Sequence, residues 1–234
     1  MKIRWHVQKE QRFPFGSVSP DPDWFEPIGF PPPWPDRPWV YAVMVASANG
    51  VVAWPRSGPD DDPVLAILGQ DDARDERIAD RRHMRHLRCF GDVAIGAQTL
   101  AVFDTPGVEV IMLTTDAGAA DLRACGIAAR GADLMVEPRG EPEALRRAHA
   151  RLFAERGVRY LDCEGGQTVL RALRRAGLLD EVFLTETDVV VDESRHRSVL
   201  KIFDFEPEGA DLIAEGRTGN ASSWRFRRWR FNRR

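Results

Sequence analysis

Tyr160-Leu161-Asp162-Cys163-Glu164-Gly165-Gly166-Gln167-Thr168-Val169-Leu170, running on through Ala176-Gly177-Leu178-Leu179-Asp180 to Glu181, decides how this chain is organised. Val158 to Cys163 has the length and apolar character of a buried strand, and it stops at two glycines. A helical pattern follows at once, with Val169, Leu170 and Leu173 on one face and Gly177 as the stop. A strand that feeds a helix through paired glycines prepares an anion site. Glycine lets the backbone approach a ligand closely, and the first N–H groups of the helix lie unpaired near the positive end of its dipole. Glu164 stands at the carboxyl end of the strand, where open α/β sheets keep their ligands.

Two glycines between a strand and a helix also serve as an ordinary tight connection. The order of residues around them goes further: Glu164-Gly165-Gly166-x-Thr168-x-Leu170, then Ala176 to Glu181, then the strand-like Val182-Phe183-Leu184. This run resembles the reductase domain of riboflavin biosynthesis, which forms the C-terminal half of a bifunctional pyrimidine deaminase/reductase and also occurs free-standing. A second stretch, Leu87-Arg88 followed by Asp92-Val93-Ala94-Ile95-Gly96-Ala97-Gln98-Thr99, is similar to the family's Leu-Arg-x-x-x-Asp segment with its three apolar residues and Gly-x-x-Thr. The resemblance spans residues 39–231 and is strongest over 85–99 and 160–181.

The resemblance implies a dihydrofolate-reductase-like α/β fold, a mostly parallel central sheet with helices on both faces. It implies NADPH as the cofactor, with the pyrophosphate at Gly165, Gly166, Gln167 and Thr168. The nicotinamide is expected near Ala46 and Thr99, with Gly96 at the strand break, and Thr115 toward the adenosine ribose or its phosphate. A small-molecule substrate would meet Arg88, Ser47 and Asn49, with Glu164 as the catalytic or orienting carboxylate. Four strand ends are thereby expected to share one crevice, and the implied reaction reduces a phosphoribosylamino-pyrimidine to its ribitylamino product.

Three departures from the family fall on the substrate side. Its Ser-x-Asp-Gly-basic turn reads Ser47-Ala48-Asn49-Gly50-Val51 here, which keeps the turn but removes a carboxylate. Its Asp-Asp-Pro becomes Phe103-Asp104-Thr105-Pro106, and its later proline and glycines become Thr187-Asp188 and Asp192-Glu193. A reductase of the same fold acting on another small imine or carbonyl therefore stays open as an alternative. So does a non-catalytic binding or assembly module.

The 234 residues, 43% apolar and 29% charged, describe an ordinary soluble globular chain of one large or two small domains. A net charge of -3 gives no drive toward nucleic acid. Cys89, Cys125 and Cys163 have no Cys-x-x-Cys spacing, and free thiols in a reducing cytoplasm are expected. No apolar run approaches a membrane span, and the amino terminus lacks a signal-peptide core. With no deaminase-like segment ahead of it, a free-standing cytoplasmic reductase is expected.

Residues 1–38 read as a proline- and tryptophan-rich arm laid over the body or over a partner subunit, ahead of a single domain over 39–234. A homodimer with the arm crossing between subunits is the expected assembly. Trp39 to Ala46 reads as a central strand, 54–72 as a polar loop, and Ala73 to Phe90 as a helix. His83 and His86 lie three apart on it, but without a third ligand they read as part of a basic solvated face, and no metal is expected. Glu109 to Thr115 and Asp133 to Val136 read as strands, and Ala119 to Cys125 as a short helix. Glu141 to Arg156 reads as a longer helix with Ala144, Leu145, Ala148, Leu152 and Phe153 inward. Trp224 to Phe231 reads as a final edge strand, its pattern slipping at Arg227-Arg228 as a β-bulge would cause.

Overall fold

A strand covered on both faces must satisfy its backbone through neighbouring strands. β7 (Tyr160–Cys163) does so with β2 (Trp39–Ala46) and β4 (Asp92–Ala94), both parallel to it. The structure, a computed structural model, describes residues 3–8, 29–58, 61–69, 71, 74–88, 92–94, 110–114, 116–124, 133–136 and 142–232. β5 (Val110–Thr114) continues the row beside β4, and β6 (Asp133–Val136) beside β5, again in parallel. Parallel strands need long crossovers, and α2 (Asp75–Arg88), α3 (Asp116–Ala124), α4 (Pro142–Arg156) and α5 (Gln167–Arg175) stand between successive strands. This is the α/β class expected from the sequence, a mostly parallel central sheet clothed by helices.

The described residues group into two compact units. One draws on Met1–Gln11, Val43–Met84 and Glu181–Arg234, the other on Arg12–Ala42 and Arg85–Asp180. In the second unit the strand order is β2-β7-β4-β5-β6. Val40, Tyr41 and Ala42 are wholly buried there, which explains the unbroken apolar run of β2. Alternation along β7 turns Leu161 and Cys163 toward α4 and α5 and turns Tyr160 and Asp162 the other way. On that other face the Tyr41 hydroxyl donates to the Leu87 carbonyl at the end of α2 (2.8 Å). Phe30, wholly buried, stacks on Tyr41 at 4.7 Å and lies against Tyr160.

Phe30 belongs to the proline-rich segment, whose described part covers the sheet of its own chain. Asp180 anchors it. The carboxylate accepts from Trp34 Nε1 (2.8 Å), from both terminal nitrogens of Arg37 (2.7 and 2.8 Å) and from the Val40 N–H (2.8 Å). Trp34 in turn stacks on Trp39 at 5.5 Å. Proline excludes regular hydrogen bonding here, so aromatic burial and one carboxylate do the holding.

In the first unit the order is β1-β10-β11-β8-β2, with β1 (Arg4–Gln8), β8 (Glu181–Glu186), β10 (Ala210–Arg217) and β11 (Arg225–Phe231). β10 carried no sequence expectation. The basic C-terminal strand is not an edge, because β11 lies between β10 and β8, antiparallel to both. Its register with β8 is unbroken from Arg225 to Arg230; the irregularity falls in β10, between Leu212 and Ala214. The apparent slip at Arg227-Arg228 has another cause. Phe226, Arg228 and Arg230 share one face, where the Glu181 carboxylate accepts from both arginines. Trp229 and Phe231 occupy the opposite face against Phe205.

Two further expectations change. The polar loop expected over 54–72 contains α1 (Pro63–Leu68), whose Asp62 side chain caps the N–H groups of Val64 and Leu65, and just ahead of it β3 (Val51–Ala53) pairs with β9 (Leu200–Lys201). Ile67 of α1 packs with Val51, Trp54 and Val191 as a small core. His83 is buried edge-on against Phe183 and Phe226, and His86 is buried as well, so neither lies on a solvated face. Among the described residues no cluster of metal-ligating side chains exists, and no helix is long and apolar enough to cross a membrane.

Asp180→Ala strips the acceptor from Trp34, Arg37 and the Val40 amide at once. Removing one partner of a pair this buried costs about 3–5 kcal/mol, so the urea midpoint should fall by a corresponding amount. An unchanged midpoint would remove Asp180 from its anchoring role.

Candidate functional site

The paired glycines of the β7–α5 corner do different work. A Cβ on Gly165 would stand 2.7 Å from Val169 Cβ and 2.8 Å from its Cγ1, so only glycine lets the strand end settle against the first turn of α5. Gly166 is the N-cap residue of α5, and a Cβ there meets no described atom within 4 Å. It provides no side-chain cap, and the first turn contains no acidic residue. Helix geometry leaves the first N–H groups without intrahelical acceptors. The corner thus sets the start of α5, at the positive end of a helix dipole, beside a Gly166 that carries no side chain. Gln167 is buried and Thr168 exposed on either side of that opening.

Behind the glycines lies a compact set of charges. Arg88, at the end of α2, grips Glu164 in bidentate fashion: Nε donates to Oε1 and Nη2 to Oε2 at 2.7 Å. Both side chains are nearly buried, at 7% and 6% exposure. The two residues expected to serve a substrate therefore hold one another in this structure. Asp162, on the same face of β7 as Tyr160, is wholly buried, and neither carboxylate oxygen has a hydrogen-bond partner among the described residues. Burial, reinforced by the charge of Glu164 and only partly offset by Arg88, raises its pKa well above the ordinary carboxyl value. Asp162 thus holds its proton to a higher pH than an ordinary carboxyl, beside an ion pair. Cys163 is inert: burial pushes its thiol up to about 12.

The Ser47–Val51 turn, in the other unit, is a self-contained lock. Gly50 takes a positive φ of 78° that any side chain would strain. Ser47 Oγ accepts from the Val51 N–H (2.9 Å) and donates to Asn49 Oδ1 (2.8 Å). The Asn49 amide donates to the Val191 carbonyl (3.0 Å) and to Glu193 Oε1 (3.1 Å), while its oxygen also accepts from the Val191 N–H (3.0 Å). Asn49 is spent on pinning the 191–193 segment. Ala46 is buried, and its carbonyl accepts from the Thr187 N–H (2.9 Å).

Gly96, Thr99 and Thr115 lie outside the described residues, as does the departure at Phe103. Two groups in the second unit escaped sequence reading. Asp162 had a signal, a carboxyl inside an otherwise apolar strand. His149 also had one, standing among Leu145, Ala148 and Leu152 on the inward stripe of α4.

The fold has known counterparts. The RibD protein of Acinetobacter baumannii matches with a TM-score of 0.54 at 14% identity, over 85% of this chain and 59% of its own. A second form of that protein gives 0.52 at 14% identity, over 84% and 58%. A pyrimidine reductase-like protein of Corynebacterium diphtheriae gives 0.52 at 17% identity, over 85% of this chain and 94% of its own. The chain thus spans 59% of the length of the Acinetobacter protein. At these identities the likeness is one of fold. No family model matches the chain, and no curated protein does.

Asp162→Asn tests the raised pKa. An acid whose folded pKa is raised loses stability as pH climbs past its unfolded value near 4, because the unfolded chain releases a proton that the folded chain retains. The wild type should therefore lose stability relative to the asparagine variant as pH rises from 4 toward 8, measured by urea denaturation at each pH. Parallel profiles for the two proteins would show that Asp162 titrates normally.

Proposed function

We propose that this protein is a reductase that takes NADPH at the β7–α5 corner and reduces a small imine or carbonyl substrate. The observation that carries the reading is Gly166, a helix start without a side-chain cap, where an added Cβ meets no described atom within 4 Å. A diphosphate fits such a corner on charge and on room: the positive end of a helix dipole, no acidic side chain in the first turn, and glycine where a larger residue would intrude. The residue order shared with the riboflavin-pathway reductases, and a fold shared with RibD and a pyrimidine reductase-like protein, support the same reading.

When bound, the cofactor would supply a hydride to an electrophilic carbon, in the narrowest form of the proposal the opened ribosyl carbon of a phosphoribosylamino-pyrimidine. The protein's part is to hold the reactants close and keep water out. Gly166, Gln167 and Thr168 would hold the diphosphate, at a helix start that Gly165 sets by letting β7 close on Val169. The family resemblance would add Thr115 for the adenosine ribose and Gly96 and Thr99 for the nicotinamide. Glu164 orients the substrate. Arg88 is a fork already filled by Glu164, so a substrate phosphate would share or replace that carboxylate. Reduction also consumes a proton, and Asp162 keeps one to a pH well above the usual carboxyl range.

One observation favours a substrate other than the pyrimidine of riboflavin synthesis. Where the family has a turn carboxylate, Asn49 has its amide engaged by Val191 and Glu193.

Fluorescence titration with NADPH should give a Kd on the order of micromolar, within the range enzymes show for their substrates. Gly166→Val should abolish that binding with little change in melting temperature, since the added side chain meets open space. Gly165→Ala should instead lower the melting temperature, because its Cβ overlaps Val169. Unchanged NADPH affinity in Gly166→Val would contradict the placement, and turnover assays with the phosphoribosylamino-pyrimidine and with simple cyclic imines then separate the substrates.

A further inference from the structure

The face of β7 turned away from Asp162 fronts a hollow in the second unit. Leu161 floors it, Leu152 and His149 of α4 and Ala172 of α5 wall it, and Leu113 of β5 lines it as well. Its volume is about 190 Å³. Protein interiors pack like organic crystals, with few voids larger than a water, and apolar cavities of about 150 Å³ take up benzene. This hollow has room for a ring with a substituent. The exposed Thr168 among its lining residues marks a way in.

One buried polar atom of its lining has no hydrogen-bond partner among the described residues. His149 is 1% exposed, and its Nδ1 lies 2.7 Å from the Leu145 carbonyl. A carbonyl can only accept, so Nδ1 carries the hydrogen and Nε2 bears the lone pair of a neutral imidazole. Nε2 is buried with no hydrogen-bond partner among the described residues. Burial lowers the His149 pKa to about 4, which keeps the ring neutral. Cys163, also in the lining, is held as a protonated thiol. With the Thr168 hydroxyl only at its exposed mouth, no charged side chain in its lining and Nε2 as its buried acceptor, the hollow rejects ions and gives water few of the several partners that it needs.

We propose that this hollow is a binding site for a small neutral aromatic compound with one hydroxyl or N–H donor, which it directs to His149 Nε2. Ring size follows from the volume, neutrality from the uncharged lining, and the single donor from the unpartnered nitrogen. The site lies on the face of β7 opposite the Arg88–Glu164 pair, and it does not depend on the reductase reading.

The test is a calorimetric titration of the full chain with phenol and with anisole, the same ring with its donor methylated. Phenol should bind, with anisole weaker on the order of tenfold, the usual worth of one hydrogen bond to a buried acceptor. His149→Leu should erase that preference while leaving the hollow apolar. Ala172→Phe should fill the hollow and abolish binding of both. Absence of phenol binding, equal affinity of the wild type for the two rings, or a preference that survives in His149→Leu would overturn the proposal. Displacement of phenol by NADPH would overturn it as a site of its own. The wild-type comparison needs no variant, so a misfolded mutant leaves the test intact. NADPH binding is measured separately, and its failure does not touch these outcomes.

Discussion

The contact between Gly165 and Val169 is the constraint on which the rest of the second unit turns. With a Cβ barred at 2.7 Å, strand and helix meet as closely as two backbones can. That closeness aims the start of α5 outward, leaves Gly166 bare and sets Glu164 at the strand end, where Arg88 reaches it. It also brings α5 down on Leu161 and Cys163, against which α4 packs. One missing methyl group thus sets the proposed anion site on one side of the corner and shapes a hollow on the other. Substitution at Gly165 costs packing, whereas a side chain at Gly166 meets no described atom within 4 Å.

Two buried carboxylates among the described residues are surrounded rather than singly paired. Asp180 gathers donors from Trp34, Arg37 and the Val40 amide, and Glu181, next in sequence, gathers Arg228 and Arg230. Removing one partner from such a set leaves a buried charge, which costs far more than the intact set contributes. Asp162 stands outside the pattern. It has no donor among the described residues, and burial raises its pKa well above the ordinary carboxyl value instead. A carboxyl with a raised pKa next to a bidentate ion pair is an arrangement that general acids exploit.

Much of this was legible in the sequence, for identifiable reasons. β2, β7 and α5 were readable because an unbroken apolar run, a glycine pair and a 3.6-residue stripe are local signals. β11 was readable as a strand but not as an interior one, since its neighbours β8 and β10 lie far away in sequence. Its apparent slip is an effect of tertiary pairing: Arg228 points inward because Glu181 waits there, which no local pattern reveals. α1 hid in an acid-rich stretch, although Asp62 ahead of Pro63 is a capping signal. His83 and His86 looked like a solvated face because arginines flank them, yet two phenylalanines from distant strands cover His83. Asn49 was readable as a turn residue, but its grip on Val191 and Glu193 joins segments remote in the chain.

The central claim is that the amides of Gly166, Gln167 and Thr168 receive the diphosphate of a nicotinamide cofactor. Backbone amide resonances of the isotopically labelled protein, followed during an NADPH titration, test it most directly. Saturable shifts concentrated at these residues, reproduced by the adenosine diphosphate half of the cofactor, are the predicted result. A titration that leaves this corner unmoved while other amides respond, or one that moves nothing, would contradict it.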